Sequence, residues 1–132
     1  MRNRDPLRLP LSLSAVYILL VGITHLIPTL SEPLLGRPVI DPALEALNGT
    51  ALVTVGAFTA LLARQGSRSA AMVWALVGFF VLATVNLVVF WSLGEVTART
   101  ALAPIVIHLF FIAWIGSTLA RAGAPNAQAT GV

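Results

Sequence analysis

The stretch GITHLIP, residues 22–28, places a histidine inside an apolar run that otherwise has the composition of a membrane-spanning segment. An ionisable group is costly in hydrocarbon and usually faces the interior of a helix bundle, where it meets a polar partner. His25 therefore raises two questions about the rest of the chain. One is how many spans surround it, and the other is which polar side chains share its depth.

The composition is that of an integral membrane protein. Of the 132 residues, 58% are hydrophobic and only 10% are charged, whereas charged residues make up roughly a quarter of an ordinary soluble domain. The chain has no cysteine, which excludes disulfides, thiolate metal sites and a catalytic thiol. Its eight basic residues are all arginines that flank apolar runs. They do not cluster on a soluble face, so nucleic acid is not predicted as a partner.

Four apolar runs predict an all-α membrane domain over residues 1–121, with spans at about residues 11–30, 42–63, 69–93 and 101–120. Each run is long enough for the roughly 30 Å hydrocarbon core of a bilayer. Residues 31–41 contain prolines and a glycine and are expected to form a loop. Residues 122–132 are predicted to be a disordered cytoplasmic tail.

Two local patterns predict helix starts. Asp41 followed by Pro42 is typical of an N-cap with proline at the first helical position. We also expect Pro104 in the first turn of the fourth span, where a missing N–H costs little.

The arginines predict the orientation. Six lie on one predicted side of the membrane (Arg2, Arg4, Arg8, Arg64, Arg68 and Arg121), and two lie on the other (Arg37 and Arg99). The positive-inside rule therefore places both termini in the cytoplasm. Four spans with short loops form an up-down-up-down bundle, here expected in the cytoplasmic membrane as a multi-pass protein.

Five polar side chains share the outer half of this predicted bundle, counted from the outer end of each span: His25, Glu45, Asn48, Asn86 and His108. If they turn inward together, they form one pocket. Aromatic side chains on the same helix faces supply its walls, namely Phe79, Phe90 and Phe111. A few polar groups among apolar walls is the usual composition of a small-molecule site.

The predicted roles divide this set. Glu45, His25 and His108 are the candidate acid–base groups, and the remaining members are candidate ligand contacts: Asn48, Asn86, Phe79, Phe90 and Phe111. Each polar member also has a structural interpretation. A membrane histidine or asparagine often hydrogen-bonds a neighbouring helix, and an acid in the first turns of a helix is favoured by the dipole and can be solvated.

Some residues could instead serve in helix packing or in binding haem or a metal ion. Gly49 and Gly56 are expected to allow close helix contact. The two histidines are compatible with bis-imidazole haem ligation in a membrane bundle. Zinc fits less well because only Glu45 could add a carboxylate, so no metal site is predicted.

Several of these residues together resemble the DoxX-like group of small four-helix bacterial membrane proteins. The matching pattern is Gly22, His25 and Pro28 at the first span, Glu45 and Gly49 entering the second, and Asn86 late in the third. The resemblance covers roughly residues 11–93. It departs from the group in the Glu-to-Gly spacing and in His108. Some members are associated with quinone-linked sulfur oxidation, so the resemblance implies a redox partnership.

The sequence thus predicts a polytopic membrane protein whose outer-leaflet pocket binds a lipophilic, quinone-like molecule or serves a partner redox enzyme. The alternative is a small membrane isomerase, cyclase or epoxide-opening enzyme acting on an isoprenoid or polyketide, with Glu45 and a histidine as the acid–base pair. Expected partners are the lipid bilayer, the lipophilic molecule, and either further copies of the chain or a larger membrane complex.

Overall fold

The computed structural model describes residues 5–35, 39–65 and 68–123. Within these ranges the chain forms five helices: α1 (Arg8–Leu26), α2 (Pro28–Leu35), α3 (Pro42–Arg64), α4 (Ala70–Ser92) and α5 (Ala98–Gly123). All but the short α2 are long and apolar enough to cross a membrane. The all-helical class and the four candidate spans are therefore confirmed. Most of the predicted tail, residues 124–132, lies outside the described residues, as do Arg2, Arg4 and Arg37.

The predicted start of α3 is confirmed in detail. The Asp41 carboxylate accepts hydrogen bonds from the backbone N–H groups of Ala43 and Leu44, each at 3.0 Å. Pro42 occupies the first helical position, where it has no N–H left unsatisfied. This cap fixes where the second candidate span begins, and with it the depth of Glu45 one turn later.

The first apolar run differs from the prediction because it is broken at a proline. Ile27 is extended, with φ −119° and ψ 96°, and α1 ends one residue before it. A residue that precedes proline is disfavoured in the helical region, and Pro28 itself then starts α2. The predicted loop was thus wrong for residues 31–35, which are helical.

The start of the fourth candidate span also differs. Helix α5 begins at Ala98, about one turn before the expected position, so Pro104 lies in its second turn and not in its first. The short connection between α4 and α5 is correspondingly tighter, and Gly94 makes the turn with a φ of 78°. That conformation is rarely available to residues with a Cβ.

Helices α1 and α3 approach closely through glycines. A Cβ on Gly49 would lie 2.7 Å from the Leu26 nitrogen and 2.8 Å from the Gly22 carbonyl oxygen, so backbone meets backbone here. A Cβ on Gly56 would lie 2.8 Å from the Leu19 side chain. The predicted role of these glycines in close helix contact is confirmed. Helix α4 packs mainly against α5, and α5 also touches α1.

The hydrophobic core fills one half of the bundle. It combines the first half of α1, the end of α3, the first half of α4 and the second half of α5, and its most buried members are Leu11, Ile18, Leu62, Val73, Leu76, Phe80 and Ile115. The buried residues of α4 all fall between Val73 and Phe80. The second half of α4 therefore leaves the packed core, and a cleft opens beside it.

A buried arginine closes the core end of the bundle. Arg68 pairs with Asp5 and donates hydrogen bonds to the carbonyl oxygens of Leu62 and Ala63. These carbonyls belong to the last turn of α3, where no helical N–H is left to bind them. Asp5 in turn accepts a hydrogen bond from Leu7 at 3.0 Å, just before α1. One side chain thereby joins the start of α1 to the end of α3.

Substituting Gly49 tests the close contact. Gly49→Ala is expected to lower the free energy of unfolding by about 1–3 kcal/mol, because the added methyl meets the α1 backbone, which cannot rotate away. The matched control is Gly78→Ala in α4, where a Cβ meets no atom within 4 Å. It should be neutral or slightly stabilising. Reversible unfolding in mixed detergent micelles, followed by circular dichroism, measures both. Equal losses in the two variants would contradict the packing role.

Candidate functional site

The cleft beside the second half of α4 is a cavity of about 560 Å³. Such a volume lies within the range of small-molecule sites in proteins. Helices α1, α4 and α5 form its walls, and α3 contributes Leu52. Most of the lining is aliphatic or aromatic, including Leu20, Val21, Phe79, Ala83, Leu87, Phe90, Ala103, Pro104 and Ile107. The polar groups among them are few and stand in two places.

The inner polar group is a pair formed by Tyr17 and His108. The Tyr17 hydroxyl lies 3.1 Å from His108 Nε2, within hydrogen-bond distance. Both residues line the cavity, and His108 is only 7% exposed. Its ring also packs against Phe80, with centroids 5.4 Å apart. The other ring nitrogen, Nδ1, is buried and has no hydrogen-bond partner within the described residues.

This pair presents one donor and one acceptor in either tautomer. If the Tyr17 hydroxyl donates to Nε2, then Nδ1 carries the histidine's proton and the phenol oxygen can accept. If Nε2 carries the proton, the phenol can donate and Nδ1 can accept. The pair can therefore serve a carbonyl or a hydroxyl. An unpaired polar atom in this environment costs about 1–3 kcal/mol.

The outer polar group is His25, with Glu45 behind it. His25 lines the cavity, whereas Glu45 does not and its side chain is 8% exposed. The His25 Nδ1 lies 2.8 Å from the Val21 carbonyl oxygen. A carbonyl can only accept, so Nδ1 must carry a proton. The other nitrogen, Nε2, lies 3.6 Å from Glu45 Oε1, an oxygen with no hydrogen-bond partner within the described residues.

The approach of His25 Nε2 to Glu45 Oε1 is compatible with a proton between the two groups. With Nδ1 protonated, a neutral His25 would turn a bare lone pair toward a carboxylate oxygen, which is repulsive. A proton on Nε2 gives an imidazolium beside a carboxylate, and a proton on Glu45 gives a carboxylic acid facing an acceptor. Both states have no net charge. A histidine on the cavity wall with a carboxyl group directly behind it is the arrangement of an acid–base pair.

The two histidines lie at different depths. His108 contacts Tyr17, which precedes His25 by eight residues on α1, a distance of about 12 Å along the helix axis. The sequence count placed them close in depth because the helix ends were misjudged. His25 is one residue from the end of α1, whereas His108 is ten residues into α5. Two histidines this far apart along the bundle cannot bind opposite sides of one haem iron, so the residues do not fit bis-histidine haem.

The structure brings together some of the predicted site residues and separates others. His25, His108, Phe79 and Phe90 line the cavity, and Glu45 reaches it through His25. Phe111 does not line the cavity; it stacks on Phe80, with ring centroids 5.3 Å apart.

The two asparagines are placed elsewhere. Asn48 and Asn86 are exposed on the outer faces of α3 and α4 and do not line the cavity. In a bilayer these faces meet lipid or another protein surface. Their apolar neighbours surround both helices on nearly every side, so the sequence offered no face preference that could orient the carboxamides.

Among the lining residues that were not predicted as part of the site, Tyr17 and Arg99 bear most on how a polar ligand group could bind. Tyr17 was assigned no role in the site, and Arg99 was counted only among the charges that predict the orientation. Tyr17, Val21 and Thr24 follow the i, i+4, i+7 spacing of one helix face that continues to His25, and all of them line the cavity. That spacing is the signal that could have identified Tyr17.

Comparison with protein-family models, with curated proteins and with solved structures finds no match for this chain. Within the described ranges, no group of three or more acidic and histidine side chains is placed to hold a metal ion. The candidate site therefore consists of the cavity with its inner and outer polar pairs.

The proton in the outer pair gives a testable difference between two substitutions. Glu45→Gln is expected to leave the free energy of unfolding near the parent value, because an amide N–H can donate to the bare Nε2 of neutral His25. His25→Leu strands a buried carboxyl group and should cost about 1–3 kcal/mol. Unfolding in mixed micelles measures both, with the exposed Glu32→Gln as control. Equal losses in Glu45→Gln and His25→Leu would contradict a proton shared in this way.

Proposed function

We propose that this protein is a polytopic membrane protein whose cavity binds a lipophilic small molecule bearing a carbonyl or hydroxyl group, of which quinones are one class. The observation that carries the proposal is the apolar cavity of about 560 Å³ with the Tyr17–His108 pair at its inner end. Its apolar walls suit a hydrocarbon body, and its buried polar pair suits a single polar group.

Location in a membrane supports a lipophilic ligand. Four helices have the length and hydropathy of spans, and the cavity lies between three of them. A molecule dissolved in the bilayer can reach such a site from the side, without passing through water. The outer pair, His25 and Glu45, adds a group that can exchange a proton with a bound molecule, as a quinone-like ligand or a partner redox enzyme would require.

The proposed arrangement in the membrane has both termini in the cytoplasm and the cavity in the outer leaflet of the cytoplasmic membrane. Arg8, Arg64 and Arg121 all lie at the core end of the bundle, which the positive-inside rule places inside. In this arrangement the helices alternate in direction. Membership of the DoxX-like group is a further part of the proposal, supported by the positions of Gly22, His25 and Glu45, which meet at one helix contact.

An enzymatic role is the second candidate, and the outer pair is the observation that favours it. A histidine on the cavity wall with a carboxyl group directly behind it has the geometry of a general acid–base pair. In that case the bound isoprenoid or polyketide would be isomerised, cyclised or opened at an epoxide. Recovery of the compound chemically changed, and not merely released, distinguishes this role from binding alone.

Ligand binding tests the main proposal. A short-chain benzoquinone is expected to bind the purified protein, and Tyr17→Phe should weaken its binding about 5- to 10-fold through loss of one hydrogen bond. Filling the cavity with Ala83→Trp should abolish it. Leu109→Ala is the control, because this side chain is 51% exposed on the outside of α5. Fluorescence quenching or calorimetry in detergent reports the affinities. Undiminished binding in both Tyr17→Phe and Ala83→Trp would exclude the cavity as the site.

Membrane orientation can be read directly, because the chain has no cysteine of its own. A single cysteine at Glu95 is expected to react with an impermeant maleimide in intact cells, since the connection between α4 and α5 lies outside in the proposed topology. A single cysteine at Gln65 should react only after the cells are opened. The reverse pattern would invert the proposed topology and place the cavity in the inner leaflet.

A further inference from the structure

We infer that the preferred ligand is an amphipathic anion, with Arg99 binding its carboxylate or phosphate and the Tyr17–His108 pair binding a hydroxyl or carbonyl at its other end. This inference rests on the proposed function and names the ligand class of the same cavity. A neutral quinone satisfies the inner pair alone and leaves the arginine at the outer end unmatched.

Arg99 places a positive charge at the outer end of the cavity, and its side chain is exposed. It lines the cavity from the first turn of α5, and this turn holds no acidic residue. The ion pairs within the described ranges are His25–Glu45 and Arg68–Asp5, so no carboxylate there neutralises it. The start of a helix is itself a region of positive potential, which disfavours an arginine and favours an anion beside it.

The acidic residues of the connections at this end, Glu32, Asp41 and Glu95, do not line the cavity. In the outer pair, His25 lines the cavity, whereas the Glu45 carboxyl group lies behind it and does not. Arg99 therefore sets the charge that a ligand meets. A guanidinium presents several N–H groups in a plane that matches the oxygens of a carboxylate or phosphate.

The cavity is polar at its two ends and apolar between them. Arg99 precedes His108 by nine residues on α5, which corresponds to about 13 Å along the helix axis. Tyr17 and His25 are separated by a similar distance on the facing helix. Between the two levels the lining is hydrocarbon-like, formed by Leu20, Val21, Ala83, Leu87, Ala103 and Ile107. A ligand with a hydrocarbon chain of about this length and a polar group at each end matches this order of polar, apolar and polar surfaces.

The inner end selects a neutral polar group. No arginine lines the cavity at that level, and the buried His108 Nδ1 has no hydrogen-bond partner within the described residues. The Tyr17 hydroxyl, paired with His108, can donate a hydrogen bond to a carbonyl or exchange one with a hydroxyl. A second anion there would be desolvated without a counter-charge.

Binding of matched probes tests the inference. The probe is ω-hydroxydodecanoate, and its partners are dodecanoate, which lacks the hydroxyl, and dodecane-α,ω-diol, which lacks the charge. Native mass spectrometry of the full chain released from detergent micelles reports their relative affinities. The variants are Arg99→Gln and, as a matched control on the same helix, the exposed Arg121→Gln in the last turn of α5.

Arg99→Gln is expected to weaken binding of ω-hydroxydodecanoate roughly 10- to 100-fold, the value of a charge-assisted hydrogen bond, and to leave the diol unchanged. Arg121→Gln should change neither probe. In the parent, dodecanoate should bind about 5- to 10-fold more weakly than the hydroxy acid. Equal affinity of parent and Arg99→Gln for the hydroxy acid would overturn the inference.

Two competitors separate the sources of an anion. Lysophosphatidate carries a lipid headgroup without a polar far end, and displacement of the hydroxy acid at equal concentration would assign Arg99 to a bilayer lipid and overturn the two-ended ligand. Displacement by inorganic phosphate alone would assign it to a free anion, with the same consequence. Failure of both to compete supports the amphiphile.

A cavity-filling variant distinguishes this inference from the proposed function. If Ala103→Trp abolishes the diol and the hydroxy acid while Arg99→Gln changes neither, the cavity binds ligands but the anionic class is wrong. If every probe stays bound in Ala103→Trp, both the inference and the proposed function fall. Ala83→Phe, from the opposite wall, repeats the measurement with a smaller insertion.

Discussion

The backbone contact between α1 and α3 at Gly22 and Gly49 sets the geometry on which the candidate site depends. Gly49 lies against the peptide of His25 and the nitrogen of Leu26, with no room for a Cβ. Glu45 is one turn earlier on the same face of α3, so the close approach brings its carboxyl group to the His25 ring. A wider helix separation would leave a buried acid without a partner, which is costly in hydrocarbon.

The division of the bundle into a packed half and an open half follows from side-chain size and position. Large apolar residues from four helices fill the half that contains Phe80 and Ile115. Beyond Phe80 no residue of α4 is buried, and the space that Ala83, Leu87 and Phe90 face is not filled by the neighbouring helices. The cavity is therefore a consequence of where packing stops. The floor of the cavity is the edge of the core, where Phe80 packs against the His108 ring and Phe111 stacks on Phe80.

Much of the fold was predictable from the sequence, because length, hydropathy and the Asp41 cap are local properties. The four candidate spans, the start of α3 and the close-packing glycines were all predicted. The break at Pro28 was missed because hydropathy runs across it without interruption. Depth was predicted less well than composition, since an error of one turn at a helix end shifts every polar residue on that helix. Those errors placed His25 and His108 opposite each other, whereas contacts place them two turns apart.

The sequence could not show whether a side chain on these helices points into the bundle or away from it. In a soluble bundle, polar residues mark the outer face, but here nearly all sides of α3 and α4 are apolar. An asparagine on such a helix gives no sign of whether it turns to the interior or to the surroundings. Tyr17 and Arg99 were missed for the complementary reason. Each has an ordinary role near a membrane interface, and only three-dimensional proximity places them on the cavity wall.

The Arg68 cluster has a consequence for how the protein reaches its final form. Its partner Asp5 is 63 residues earlier in the chain, before the first span, and its other partners are the last carbonyls of α3. All of these groups are present only after the first two long helices have been made and have come together. In the proposed topology the turn that contains Arg68 faces the cytoplasm, as the positive-inside rule expects of an arginine that is not yet paired. Once the helices have come together, the Arg68 side chain is buried and ties the start of α1 to the end of α3, so this contact can form only late in assembly.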